Sequence, residues 1–239
     1  MKNPWLNFVK NLDDKNLVLD EEKIVIEKFN RKAKENFKIH TEIMPAPFMG
    51  NVKSAPIVLL TLNPGYDKNE EFGEFGNYYE VYKPFWKNEI QHIKSIPELP
   101  LFCLDEEYIR FSNYWNTKLK PLILISSKQK VAKNICKIQF FPYHSQKFKN
   151  ISKVILREEG FDFLTSQKYN FNLVKQAMER NAVIIILRSK KLWLDAIPEL
   201  NDYKNLRFTN NYRNTIISEG NLQKSFTEIG NILNGNIDK

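Results

Sequence analysis

The stretch Ala55-Pro56-Ile57-Val58-Leu59-Leu60-Thr61-Leu62-Asn63-Pro64-Gly65-Tyr66-Asp67 decides the fold. Ile57 to Leu62 is an apolar, partly β-branched run bounded by turn residues, the pattern of a strand buried on both faces. It stops at Asn-Pro-Gly. Proline fixes its own φ and drives Asn63 into an extended conformation, and glycine permits a sharp reversal. The strand therefore delivers one polar side chain, Asn63, to the C-terminal edge of a sheet, where open α/β sheets bind ligands. Asn-Pro-Gly is also a common plain turn.

Outward from this stretch, the same grammar recurs. Ile135 to Phe141 reads as a second strand and ends at Pro142-Tyr143-His144-Ser145. Asn181 to Leu187 is a third, followed by Arg188-Ser189-Lys190-Lys191 opening a helix. Asn205 to Thr209 is a short last strand that feeds the polar loop from Asn210 to Gly220, and a closing helix runs from Asn221 to Leu233. Helices are predicted over 105–135, 149–159 and 171–180. Strands alternating with helices predict βαβ units: a three-layer α/β/α sandwich around a central, mostly parallel sheet of about four to five strands. Residues 1–40 read as a helical, mostly solvated extension of this single domain. In it Asp20-Glu21-Glu22 starts a helix whose dipole the acidic groups complement. The prolines of 41–54 mark an irregular connector. Residues 66–90 read as a long, aromatic-rich loop in which Tyr66, Phe72, Phe75 and Tyr78 could stack on a planar base or simply pack.

The 239 residues carry a formal net charge of +8, which suits an anionic partner, nucleic acid first, and also describes a merely basic protein. Two cysteines without paired spacing argue against a disulfide framework and suit a reducing, cytoplasmic setting. The three histidines, His40, His92 and His144, are scattered. No zinc, iron–sulfur or Walker-type spacing is present, so neither metal nor cofactor is expected. No apolar run approaches the ~18 residues of a membrane span, and the first residues lack a signal-peptide pattern. A monomer without membrane attachment is the expectation.

With the three strand ends on view, the order of elements resembles the uracil-DNA glycosylase superfamily. The local match is Leu62-Asn63-Pro64-Gly65, which is similar to the Gly-Ile-Asn-Pro-Gly water-positioning motif of the mismatch-specific branch, with Thr61 in place of the first Gly. The resemblance places Lys137 to His144 where the family reads the base edge, Gln139 being the nearest amide. It also places Asn210 to Asn221 where the family has a His-Pro-Ser or Asn-Pro-Ser loop. Ile217-Ser218-Glu219-Gly220-Asn221 stands there instead. It implies N-glycosidic hydrolysis of a damaged or mismatched base in DNA. The alternatives are a catalytically silent nucleic-acid or nucleotide-binding member of the same fold and a hydrolase of a nucleoside-like small molecule.

That chemistry builds oxocarbenium character on the sugar and negative charge on the departing base. Asn63 could hold the attacking water by its carbonyl oxygen, although an amide cannot act as a strong base. Backbone N–H groups of Gly65 and Tyr66 could receive a carbonyl oxygen or phosphate. His144 is the ionisable group nearest a predicted strand end and could donate to the ligand, with Tyr143 beside it. Arg213, Asn214 and Ser218, with Tyr212, could clamp phosphate. Arg188 and Ser189 open a helix, where Ser189 is either an N-cap or part of an anion site.

Overall fold

The computed structural model describes residues 1–8, 16–66, 90, 99–211 and 213–236; the side chains of Asn7, Arg110 and Phe111 are outside that description. The loop aromatics Phe72, Phe75 and Tyr78, and Tyr212 of the last loop, lie outside the described residues.

Five strands form one sheet: β1 (Phe48–Met49), β2 (Ile57–Thr61), β3 (Ile135–Gln139), β4 (Val183–Ile186) and β5 (Leu206–Phe208). Their spatial order is β1-β3-β2-β4-β5. β2 is central and parallel to both neighbours, pairing Leu59 with Lys137 on one side and with Ile185 on the other. β5 runs parallel to β4, and only β1 is antiparallel. β2, β3 and β4 are buried along their whole lengths, the signature of a parallel sheet covered on both faces. Each enclosed Ile or Leu contributes about 1.5–3 kcal/mol over an exposed one.

The helices that the described residues make up in full are α1 (Trp5–Phe8), α2 (Lys23–Lys32), α3 (Glu106–Phe111), α4 (Tyr114–Ile125), α5 (Lys128–Asn134), α6 (Lys153–Glu158), α7 (Thr165–Glu179), α8 (Lys190–Ala196), α9 (Glu219–Leu222) and α10 (Lys224–Asn234). α4 covers one face, where the Lys137 ammonium of β3 lies 4.8 Å from the Trp115 ring centroid. α7 covers the other. Its Tyr169 ring is 6.2 Å from Phe48, which pairs with Ile138, and neighbours along a strand point to opposite faces. The architecture is the expected α/β class.

Three local readings change. The connector 41–54 contains the edge strand β1, closed by Gly50 at φ +93°; a Cβ there would lie 2.8 Å from the Ile135 carbonyl oxygen, so glycine is sterically required. The helix expected over 171–180 begins at Thr165, because Tyr169, Asn170 and Phe171 already face the core. Residues 1–40, expected as a solvated extension, contribute Trp5, Leu17, Val18, Val25, Ile26 and Ile39 to the same apolar cluster as the sheet. Their apolar positions fall in short pieces, too short to show a helical period. Glu22 does not face water at a helix start either: it is fully buried.

Among the described residues no helix is long and apolar enough to cross a membrane.

Candidate functional site

β2 and β3 end together, and their pairing continues past the last strand residues. Phe140 N–H donates to Thr61 O at 3.1 Å and Phe141 N–H to Leu62 O at 2.8 Å. On the other flank Leu187 N–H donates to Leu60 O at 3.0 Å. Asn63, Pro142 and Arg188 therefore leave the sheet at one edge. The chain passes from β2 to β3 on one side and returns to β4 on the other, which makes the end of β2 the topological switch point.

Asn63 is half-buried, and its amide nitrogen is held twice, donating to Pro64 O at 2.8 Å and to Ser145 Oγ at 2.9 Å. Those two bonds use both hydrogens of the NH2 group and fix the amide's orientation. The carbonyl Oδ1 takes no donor from the described residues. Gly65 is exposed, and a Cβ there would meet nothing described within 4 Å. Its φ lies outside the left-handed region, so the turn does not depend on glycine's conformational freedom, contrary to the sequence reading. The absent side chain leaves open space beside the backbone instead.

His144 is buried, and its Nδ1 lies 2.7 Å from Gly65 O. A carbonyl only accepts, so Nδ1 carries the hydrogen. Burial pushes the ring's pKa down to about 4, outweighing the backbone bonds at Gly65 and Met44 that favour the charged form; Lys137 and His40 add to the drop. The imidazole is neutral near pH 7, with its Nδ1 proton committed to the turn.

Two other expected ligand groups point inward. The Thr61 hydroxyl donates to Gln139 Oε1, and both residues are buried. Tyr143 is 0% exposed, and its hydroxyl donates to Glu22 Oε2 at 2.5 Å. Ser166 completes that network, donating from N–H to Glu22 Oε1 at 2.6 Å and from Oγ to Oε2 at 3.0 Å. Burial raises the Glu22 carboxyl to about 7 against the lowering effect of these donors. Burial and the facing carboxylate push the Tyr143 phenol well above its ordinary range.

The remaining expected residues sit apart. Arg188 is exposed after β4. Ser189 adopts the left-handed conformation at φ 60°, ψ 43°, and its side chain makes no capping bond. In the loop after β5, Asn211 Oδ1 accepts from the N–H groups of Arg213 and Asn214 at 3.0 Å each. Lys118 of α4 donates to Asn214 Oδ1 at 3.2 Å, and Ile217 N–H donates to Lys118 O at 3.0 Å. Ser218 flanks α9 without a side-chain cap bond. This loop is anchored to α4, and no bond of the described residues joins it to Asn63.

The structure adds two residues that the sequence reading passed over. His40 N–H donates to His144 O at 2.9 Å, and the His40 ring stacks on Tyr66 with centroids 3.4 Å apart and planes 11° apart. Its Nδ1 lies 2.8 Å from Glu42 Oε1. The sequence places Glu42 two residues from His40, and the turn at Thr41-Glu42 brings its carboxylate to the ring.

Among the described residues no group of three or more His, Cys, Asp or Glu side chains is arranged to hold a metal ion. No family model, curated protein or solved structure compared with this chain matches it.

Proposed function

We propose that the chain hydrolyses the N-glycosidic bond of a damaged or mismatched base in DNA, with Asn63 positioning the attacking water. One observation carries this reading. The Asn63 amide, at the C-terminal edge of the sheet, is fixed by two bonds from Nδ2, and its Oδ1 takes no donor from the described residues. A preorganised acceptor there holds a water without reorganisation during the reaction. The exposed Gly65 backbone beside it offers a donor to the departing base or to a phosphate. The net charge of +8 suits a polyanionic substrate.

A second reading, a binding member of the same fold that does not cut, draws support from the inward groups. Gln139 is tied to Thr61, Tyr143 to Glu22, and the Nδ1 proton of His144 to Gly65. A site lacking those base contacts recognises a ligand by its backbone and shape.

The deciding experiment incubates the protein with oligonucleotides carrying uracil, hypoxanthine, xanthine or a thymine mismatch, followed by alkaline cleavage. Strand scission on any of them supports the hydrolase. Binding without scission, with affinity falling steeply as salt rises, supports the silent binder. An interaction indifferent to salt, or none at low ionic strength, removes the nucleic-acid partner.

A further inference from the structure

A water held by Asn63 lacks a group to take its proton, because an amide does not titrate and His144, whose Nδ1 is engaged by Gly65, holds its other ring nitrogen, Nε2, buried. We infer that His40 is that base, with Glu42 and Tyr66 as its positioning residues. The inference rests on the hydrolase reading and names a catalytic group within the same site.

Three features carry it. Glu42 Oε1 accepts at 2.8 Å from His40 Nδ1, so the hydrogen of the neutral ring sits on Nδ1 and Nε2 presents a lone pair. His40 Nε2 has no partner among the described residues, and the side chain is 18% exposed. The face-to-face stack on Tyr66 fixes the plane of the ring three residues beyond Asn63.

The backbone around His40 is equally constrained. Asn30 of α2 bonds both N–H and C=O of Ile39 at 2.8 Å, His40 N–H is held by His144 O, and Leu17 N–H holds Thr41 O at 2.6 Å. The two chain segments that place Asn63 therefore also place His40: the Gly65-Tyr66 turn through the stack, and the His144-Ser145 segment through the backbone. Among the described residues, the ionisable groups that face the ring are Glu35, Glu42, Tyr66 and His144.

The step balances. The water oxygen forms a bond to the anomeric carbon as the carbon–nitrogen bond breaks. The electron pair of that bond leaves with the base, and the water's proton passes to His40 Nε2. Orienting a base by a carboxylate on its other nitrogen is the logic of histidine–carboxylate pairs generally.

Single-turnover base release on the best oligonucleotide tests the inference, read together with ¹⁵N spectra of the imidazoles. His40→Ala is expected to lower base release about 100-fold with oligonucleotide affinity nearly unchanged. Glu42→Gln keeps the ring in place, and is expected to lower release about 10-fold while moving hydrogen from Nδ1 to Nε2 in the ¹⁵N spectrum. Tyr66→Phe keeps the stack and should retain most activity. Base release undiminished in both His40→Ala and Glu42→Gln overturns the inference and leaves the hydrolase reading standing. An unmutated protein that releases no base overturns both. A ring whose hydrogen resides on Nε2 in the unmutated protein overturns the inference whatever the turnover.

Discussion

Two polar clusters sit back to back across Tyr143 and His144. One faces inward: Glu22, Tyr143 and Ser166 satisfy one another in a site closed to water. The other faces the sheet edge: Asn63, Ser145, His144 and Gly65 bond one another and leave Asn63 Oδ1 over. Both clusters draw on long-range partners, and both include a group that burial shifts strongly. The difference lies in completeness. A saturated buried network holds the chain together, whereas a network with one oriented acceptor to spare is equipped to hold something else.

Breaking the inward cluster should have the largest effect. Glu22→Ala removes the buried acceptor of three donors, the Tyr143 O–H and the Ser166 N–H and O–H, a loss of roughly 3–5 kcal/mol of folding stability. Urea denaturation measures it, and a loss below about 1 kcal/mol would contradict a saturated network.

Breaking the outward cluster should separate function from stability. Asn63→Ala is expected to lower base release by about 10²–10³-fold with DNA affinity nearly intact. Equal losses of binding and turnover would make Asn63 a turn-holding residue.

Titration sharpens the contrast, because the two clusters respond to pH with opposite signs. Glu22 is raised from 4.5 to about 7, so its contribution to stability is full below pH 4.5 and is lost as pH rises through 7. His144 is lowered from 6.5 to about 4, so its contribution is full above pH 6.5 and is lost as pH falls through 4. Each is worth roughly 3 kcal/mol, and between these limits the slopes oppose each other. Glu22→Gln removes one of them. Its stability should then rise with pH by about 1.4 kcal/mol per unit more steeply than the unmutated protein's between pH 4.5 and 6.5. Identical slopes in the two proteins would refute the assignment.

The smallest effect belongs to Gly65. Gly65→Ala meets nothing described within 4 Å, so stability should hold or rise by about 0.5 kcal/mol. If ligand approaches the backbone there, affinity for the oligonucleotide should fall about 10-fold, a loss of roughly 1.4 kcal/mol; unchanged affinity would place the ligand elsewhere.

The central strands were legible because an apolar run closed by Pro or a polar cluster has few other meanings, and Asn63, Pro142 and Arg188 leave at one edge as the pattern required. β1 was not, since two residues carry no periodicity and its partner Ile138 lies 90 positions along. The inward turn of Tyr143 was hidden because it depends on Glu22, and an acidic residue at a helix start ordinarily faces water. Gln139 carries an amide suited to base reading, yet Thr61 opposite it in register offers a buried hydroxyl, and the two satisfy each other. His40 was passed over because its neighbours Tyr66 and His144 reach it only through the fold.

The margins of the sheet bear on how the protein behaves at high concentration. A long bare edge strand is a template for pairing between molecules. Here one margin is the two-residue β1 and the other the three-residue β5. Arg207 at the middle of β5 is clasped to Glu228 of α10, its Nε and one terminal nitrogen bonding the two carboxylate oxygens at 3.0 and 2.9 Å. Short margins, one of them carrying a charged pair, give a neighbouring molecule little backbone to extend, so the native sheet resists edge-to-edge aggregation even with a core built from aggregation-prone Ile, Val and Leu runs.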